Sequence, residues 1–242
     1  MTESARFSWT VLLPVKVLAR AKSRLAVLAG DRRRDLALAL ASDTVTAVLA
    51  CPAVARVVVV TSDPVAGPLL AALGAIVVAD EPADRSDPGG EVGPLNGTSA
   101  HADPGVQDML NAALRHGAAV AARRWPGTGL AALTADLPAM SPAELAAALR
   151  AAGASPGLAA FVPDAAGVGT TLYAVPPGGE FRPLFGGASR ARHAAAGATE
   201  LALAGTTGLR RDVDTPDDLR EALELGAGPF TRAVAADLFT DV

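Results

Sequence analysis

The chain has 242 residues, of which 50% are hydrophobic and only 4% are aromatic, so its core must be built from Ala, Val and Leu. That length suits one large α/β domain or two small ones. The formal net charge of −4 argues against nucleic-acid binding, which needs a basic face. The lone Cys51 excludes an internal disulfide, and no apolar run reaches the roughly 18 residues of a membrane span. No charged-then-apolar leader opens the chain, and we expect a cytoplasmic protein with no membrane partner.

The first predicted element is a buried strand that runs into a basic loop. The strand covers Val11 to Leu13 and ends at Pro14, and the loop then carries Lys16, Arg20, Lys22 and Arg24. Lys16 and Lys22 are the chain's two lysines among 21 Lys and Arg residues, and lysine is a compact point charge suited to phosphate oxygens. Because ligands bind at the carboxyl ends of strands in open α/β sheets, the loop is a candidate phosphate site. A solvated basic turn is the plain alternative.

Strands and helices alternate in the next part of the chain. A helix is expected over 31–50 with Asp31 as its cap, and Val57 to Val60 is a β-branched run typical of a strand buried on both faces. A turn and a helix near 65–73 follow, and then a short strand at Ala75 to Val78. This alternation predicts βαβ units and therefore an α/β fold with a parallel sheet.

Residues 80–106 interrupt this pattern. The stretch is rich in proline, glycine and acidic residues and has no period in its apolar positions. It indicates a flexible loop, insertion or lid, since long loops in compact domains are usually functional or disordered. The α/β pattern resumes after it, so we expect a single domain over 1–242.

The second half continues as an α/β pattern. Ser141 and Glu144 have the form of a capping box that opens a helix to about 152. The remaining expected elements are a helix at 110–125, strands at 129–134, 158–162 and 170–175, a helix at 188–196, a last strand at 210–214, a helix from Thr215, and a partly helical tail at about 227–242.

Three aspartates are candidate metal ligands. Asp136 follows an apolar strand, and Asp212 and Asp214 flank Val213, so an extended chain would point both to one face. Carboxylates at strand ends that face a basic loop can hold Mg²⁺ against nucleotide phosphates. The alternative for the second pair is that Asp214 caps the helix at Thr215 and Asp212 is solvated.

A second constellation combines small residues with hydroxyl groups. Thr171 follows Gly169 and Thr170, and Ser189 follows a Gly-Gly-Ala turn that opens a helix. Backbone N–H groups in such turns can approach an anion. His193 lies four residues after Ser189 on the same helix face, where it either contacts a ligand or is structural. The other histidines show no metal-binding spacing, which sets zinc aside.

Several common motifs are missing. The chain has no G-x-S-x-G, no Walker A sequence and no G-x-G-x-x-G. Their absence argues against a serine hydrolase, a P-loop enzyme and a dinucleotide-binding oxidoreductase.

The motifs together resemble one family over essentially the whole chain. They are L-P-V-K-x-x-x-x-A-K-S-R-L at 13–25, D-L-P at 136–138, G-T-T at 169–171, F-R-P-L-F-G-G-A-S-x-x-x-H at 181–193 and D-V-D-T-P at 212–216. The chain thereby resembles the guanylyltransferases of coenzyme F420 biosynthesis, relatives of the molybdenum-cofactor nucleotidyltransferases. The resemblance implies a Rossmann-like nucleotidyltransferase domain with a mostly parallel central sheet flanked by helices.

The resemblance also implies a reaction. GMP would pass from GTP to the phosphate of phosphoenolpyruvate or of 2-phospho-L-lactate, and the GC-rich composition favours phosphoenolpyruvate. A homodimer, and transfer of the product to the next enzyme of the pathway, are further expectations. Two alternatives stay open: a nucleotidyltransferase for another acceptor, and a nucleotide-binding module without catalysis.

The resemblance assigns roles to matching residues. Phosphoenolpyruvate would contact Thr171, Gly186 and Ser189, and Mg²⁺ would be held by Asp136, Asp212 and Asp214. The expected nucleotide-binding residues are Pro14, Lys16, Lys22, Ser23, Arg24 and Asn111. The family's Gly-Leu-Asn is Met109-Leu110-Asn111 here, and Gly93 to Asn96 is a displaced alternative.

The chemistry explains why no general base is expected. A phosphate monoester has a second pKa of about 6 and is already an anionic nucleophile at neutral pH. Catalysis then depends on in-line placement and charge neutralisation, for which Lys16 and Lys22 are the candidate catalytic residues.

Overall fold

The architecture is a seven-stranded sheet flanked by helices, which confirms the predicted fold class. The computed structural model describes residues 7–18, 22–80, 104–155 and 157–239. The strands stand in the order β3-β2-β1-β4-β6-β5-β7. Their bounds are β1 Trp9–Pro14, β2 Val54–Val60, β3 Ile76–Val78, β4 Gly129–Leu133, β5 Ala160–Pro163, β6 Thr170–Val175 and β7 Thr199–Glu200.

Helices connect most of these strands and also follow the last one. Their bounds are α1 Ala26–Ala29, α2 Arg33–Leu49, α3 Ala66–Ala72, α4 Pro104–Arg124, α5 Pro142–Gly153, α6 Ser189–Ala195, α7 Thr207–Arg210, α8 Pro216–Leu225 and α9 Pro229–Leu238. Short 3₁₀ turns at Ser23–Leu25 and Gly30–Arg32 flank α1. None of the helices within the described ranges is long and apolar enough to cross a bilayer.

The topology has its switch point at β1. This strand lies between β2 and β4 and pairs in parallel with both, whereas β6 runs antiparallel to β4 and to β5. The chain adds β2 and β3 on one side of β1 and then crosses to β4 on the other. The loops after β1 and β4 therefore diverge at the carboxyl edge, where open α/β sheets bind ligands.

Both faces of the sheet are covered. Val11 and Leu13 of β1 point into a core shared with α2, α3 and α5, and Leu12 points into a second core formed with α4. These three side chains are fully buried, which explains why the strand has three consecutive apolar residues rather than apolar residues at alternate positions.

Three expectations about the elements were wrong. Asp31 does not cap the helix, because it lies in a 3₁₀ turn and Arg32 occupies the N-cap of α2. Residues 210–214 form no strand, since Val213 donates one hydrogen bond to the carbonyl of Asp136 instead of joining a ladder. The helix expected over 110–125 begins earlier, at Pro104. The loop expected at about 80–106 stays a prediction, because residues 81–103 lie outside the described part of the chain.

The expected tail contains a docked helix. Buried Asp43 of α2 accepts hydrogen bonds from the N–H groups of Phe230 at 3.1 Å and Thr231 at 2.7 Å, which caps the N-terminus of α9. Leu238 of α9 joins a third apolar cluster with residues of α1, α2 and α8. The segment up to residue 239 is therefore part of the folded core.

Candidate active site

The basic loop after β1 is held against the end of β2. The N–H of Val15 donates to the carbonyl of Val60 at 3.0 Å, and the N–H of Leu18 donates to Oδ2 of Asp63 at 2.8 Å. Lys16 lies between these two anchors with an exposed side chain. The loop therefore leaves the sheet in a fixed direction and presents the Lys16 ammonium to solvent at the carboxyl edge.

Asp63 anchors the basic loop, a role that was not predicted from the sequence. Its carboxylate also accepts the N–H groups of Val65 and Ala66, at 2.9 and 2.8 Å. Burial alone would raise the pKa of Asp63, but the N–H groups of Ala66, Leu18 and Val65 outweigh it and lower the pKa. An Asp-Pro pair directly after a buried strand was the available signal, since Asp side chains bond to backbone N–H groups close by in sequence.

Lys22 links the basic loop to two of the predicted aspartates. Its ammonium contacts Oδ2 of Asp136 and lies 2.8 Å from Oδ1 of Asp214. Burial alone would lower the pKa of Lys22, but these two carboxylates raise it above the ordinary value. Lys22 also has a φ of +54°, a region that non-glycine residues seldom adopt, and among the described residues no other non-glycine shares it. Such local strain is typical of functional sites.

Asp136, Asp212 and Asp214 converge although they come from separate segments. The hydrogen bond from the N–H of Val213 to the carbonyl of Asp136, at 3.1 Å, joins the two segments. Burial, followed by repulsion from Asp136, Asp214 and Asp164, raises the pKa of Asp212 to about 7. Attraction to Lys22 lowers the pKa of Asp214. The helix after them is capped by Thr215 and Asp218, so the alternative that Asp214 is the cap was wrong.

The carboxylates of Asp136, Asp212 and Asp214 are chemically suited to bind a hard cation. Carboxylate oxygens are the ligands that Mg²⁺ prefers, and Oδ1 of Asp136 is buried without a hydrogen-bond partner among the described residues. The same part of the chain contains no group of three or more acidic, His or Cys side chains arranged to hold one ion. The Lys22 ammonium lies between Asp136 and Asp214 instead, so the metal assignment stays a prediction.

The predicted acceptor residues gather beside β4. The N–H of Thr134, two residues before Asp136, donates to the carbonyl of Thr171 at 3.0 Å. Thr171 is buried, and its hydroxyl makes a long contact of 3.5 Å with the carbonyl of Val162. Its strand, β6, therefore begins next to the aspartates, which places the two predicted constellations at one edge of the sheet.

The glycine turn before α6 lies on the other side of this region from β6. Gly186 and Gly187 have φ values of +99° and +44°, which favour glycine at both positions. Neither of their N–H groups donates to another described residue, and Ser189 is buried at the first position of α6. The turn thus offers two backbone donors for an anion.

The remaining predicted nucleotide residues have varied surroundings. Pro14 ends β1, and Arg24 is exposed in the turn before α1. The charges of Arg24 and Lys16 both act on Asp214, after the larger effects of Lys22 and burial. Only the backbone of Ser23 is described.

Asn111 lies in a different environment from the basic loop. It is buried in α4 and exchanges two hydrogen bonds with the backbone of Phe185, at 2.9 and 3.1 Å. Its contact with guanine stays a prediction, and the displaced alternative at 93–96 lies outside the described residues.

Two solved structures share this fold. A nucleotidyl transferase from Methanothermobacter thermautotroptrophicus matches with a TM-score of 0.53 at 18% identity, covering 91% of this chain and 98% of its own. A protein from Desulfovibrio desulfuricans G20, described as a nucleotide-diphospho-sugar transferase, matches with a TM-score of 0.56 at 15% identity over 91% and 97%. The fold is that of the nucleotidyltransferases.

Sequence relatives narrow the class. A phosphoenolpyruvate guanylyltransferase from Thermomonospora curvata is 55% identical over 236 residues, which cover 97% of this chain and 92% of the relative. The Streptomyces coelicolor protein of the same name is 56% identical over 231 residues, covering 95% and 97%. No model of a known protein family matches the chain. The chain belongs to the phosphoenolpyruvate guanylyltransferase family, which confirms the resemblance seen in its motifs.

Proposed function

We propose that this chain transfers GMP from GTP to phosphoenolpyruvate and releases diphosphate. The observation that carries the proposal is the cluster of Lys22, Asp136 and Asp214 at the topological switch point. The names and high identity of the relatives support the choice of donor and acceptor. We further propose, from the resemblance alone, that the product serves coenzyme F420 biosynthesis, and that dimerisation and handover to the next enzyme accompany it.

The reaction requires charge neutralisation more than proton transfer. An oxygen of the acceptor phosphate attacks the α-phosphorus of GTP, a new P–O bond forms, and the bond from the α-phosphorus to the bridging oxygen breaks as diphosphate leaves with its electron pair. Because the attacking phosphate is already anionic at neutral pH, no side chain has to remove a proton. Lys16, Lys22 and Arg24 would offset the charge of the triphosphate and of the departing diphosphate.

The acceptor would bind between the beginning of β6 and the glycine turn before α6. The hydroxyls of Thr171 and Ser189 and the N–H groups of Gly186 and Gly187 would supply donors for its phosphate and carboxylate. The carbonyl of Thr171 accepts a hydrogen bond from the N–H of Thr134, the residue that follows β4. Thr171 therefore lies beside the end of β4. An acceptor bound at this place would face the phosphates held by the basic loop.

We propose that Asp136, with Asp212 and Asp214, holds Mg²⁺ when nucleotide is bound. The metal would supply Lewis-acid polarisation of the phosphoryl oxygens. Lys22 would then exchange its carboxylate partners for phosphate oxygens. Its strained backbone and its position between two carboxylates support this exchange.

Diphosphate release tests the function. GTP and Mg²⁺ are mixed with phosphoenolpyruvate, with 2-phospho-L-lactate or with no acceptor, and diphosphatase draws the equilibrium forward. We expect release with phosphoenolpyruvate. Release with 2-phospho-L-lactate alone would change the acceptor and keep the mechanism, whereas GTP binding with no release would favour a binding module without catalysis.

Variants test the residue roles. Lys16→Ala and Asp136→Asn are each expected to lower kcat by about 100-fold or more, as removal of a transition-state charge contact does. Asp237→Asn is the matched control, because that carboxylate is 65% exposed on α9 and pairs with Arg32. Wild-type turnover in both test variants would refute these assignments.

A further inference from the structure

The imidazole of His193 lies between β6 and the glycine turn before α6, the two sides of the proposed acceptor site. The ring is fully buried. Its Nε2 accepts a hydrogen bond from the N–H of Leu184 at 2.9 Å, and its Nδ1 lies 3.0 Å from Oγ1 of Thr170. One ring therefore joins the glycine turn to β6.

The hydrogen bonds define the form of this ring. Because Nε2 accepts from a backbone N–H, the neutral imidazole carries its proton on Nδ1 and donates it to Thr170. Burial, with the neighbouring Arg192, lowers the pKa of His193 to about 4 and keeps the ring neutral at physiological pH. Tyr173 stacks on the ring with 4.7 Å between centroids, and Phe185 meets it edge-on at 5.4 Å.

The contact with Thr170 depends on an irregularity in β6. Tyr173 and Thr170 are three residues apart, so a regular strand would point them to opposite faces. The register of β5 on β6 shifts between Val162 and Pro163, which pair with Leu172 and Thr170 and leave Thr171 as the additional residue. The bulge brings Thr170 to the His193 ring, and the bulged residue is itself a predicted acceptor ligand. Bulges occur often beside active sites, where they re-aim a side chain.

The glycine turn is held by two more side chains. Asn111 donates to the carbonyl of Phe185 and accepts its N–H, at 3.1 and 2.9 Å. Arg192 donates to the same carbonyl at 3.1 Å and also to that of Gly186. With the bond from Leu184 to His193, the backbone of 184–186 is fixed by side chains from α4 and α6.

We propose that His193 is the positioning residue of the acceptor site. It fixes the bulge at Thr171 and the turn at Gly186 relative to each other, and Ser189 lies one helical turn before it on α6. The proposal rests on the function proposed above. His193 does not touch the acceptor, and its loss is expected to weaken acceptor binding while leaving GTP binding intact.

The test compares three substitutions at one position in the full-length chain. His193→Phe keeps a ring against Tyr173 but loses both hydrogen bonds. His193→Gln can still accept from Leu184, and His193→Asn keeps a donor near Thr170 without reaching Leu184. Arg190→Gln is the control, because Arg190 anchors the same helix from its other side through Glu200 at 2.9 Å.

The readouts are the two Michaelis constants and the amide exchange rates of the peptide that spans 182–188. We expect the Phe and Asn variants to raise KM for phosphoenolpyruvate about tenfold, to leave KM for GTP within about twofold, and to exchange the 182–188 amides faster. The Gln variant should fall within about threefold of the wild type. Arg190→Gln should lower stability without a change in either KM.

Several outcomes would overturn the proposal. These are a folded Phe variant with wild-type KM and exchange, equal increases in both KM values, and a Gln variant as impaired as Asn. If the Phe variant does not fold, the Asn and Gln pair decides. If the wild type releases no diphosphate with phosphoenolpyruvate, the proposed function fails, while the exchange rates still support or overturn the positioning role.

Discussion

Substitution of Lys22 by Met should destabilise the protein in the absence of ligands. The Lys22 side chain is 13% exposed and Asp136 is 21% exposed, so this ion pair is largely withdrawn from water. Removing one partner of a buried pair costs about 3–5 kcal/mol, because the remaining charges lose their compensation. Asp214 is 53% exposed and partly screened, so we expect a loss of about 2–3 kcal/mol.

Urea unfolding measures this loss directly. With an m-value of about 3 kcal/mol/M, the midpoint should fall by roughly 0.7–1 M. Lys16→Met is the matched control, since Lys16 has an exposed side chain and forms no ion pair with a described residue. We expect its midpoint to stay within about 0.2 M of the wild type.

Mg²⁺ provides a second arm of the same experiment. In Lys22→Met the carboxylates of Asp136 and Asp214 lack their cation, so Mg²⁺ should bind there without competition. At about 100 times its Kd it would restore about 2.7 kcal/mol, and we expect the wild type to gain less. An unchanged midpoint in Lys22→Met would refute the ion-pair reasoning, and equal effects of Mg²⁺ on both proteins would refute the cation site.

Two further predictions concern stability. The pKa of His193 falls from its ordinary 6.5 to about 4 in the folded protein, so the unfolded chain binds the proton first and stability is lost as pH falls from 6.5 towards 4. Relative to His193→Gln, the wild type should lose about 2 kcal/mol of unfolding free energy between pH 8 and pH 5, measured by urea unfolding. Comparing the two proteins cancels the opposite titration of Asp212. An equal pH dependence in both proteins would contradict a neutral buried ring. Asp43→Ala removes two charge-assisted hydrogen bonds to the first turn of α9, so it should lower the free energy of unfolding by about 2–3 kcal/mol and speed proteolysis near α9. Asp43→Asn keeps one acceptor and should lie between the wild type and Asp43→Ala in both measurements. An unaltered cleavage pattern in Asp43→Ala would disprove the capping role.

Local sequence signals predicted most elements of the fold. The Val57 to Val60 run lies within β2, and the capping box of Ser141 and Glu144 opens α5 as expected. Both signals act over a few residues, so they can be recognised without tertiary structure. The predicted strand at 210–214 failed because a D-x-D pattern has the alternation of a strand, whereas strand formation depends on a partner with free ladder positions.

The sequence by itself determined the chemistry available to this protein. Two lysines in one loop and carboxylates at strand ends predicted a site for phosphates at the carboxyl edge, because parallel strands direct their ends to one side. The tertiary structure decided how those charges meet. Lys22 is 114 residues from Asp136 and 192 from Asp214, and its partners follow from the strand order, which no local pattern encodes. The role proposed for His193 also depends on tertiary structure. Its imidazole contacts both Thr170 at the bulge in β6 and the N–H of Leu184, and it can do so only when α6 packs on the sheet.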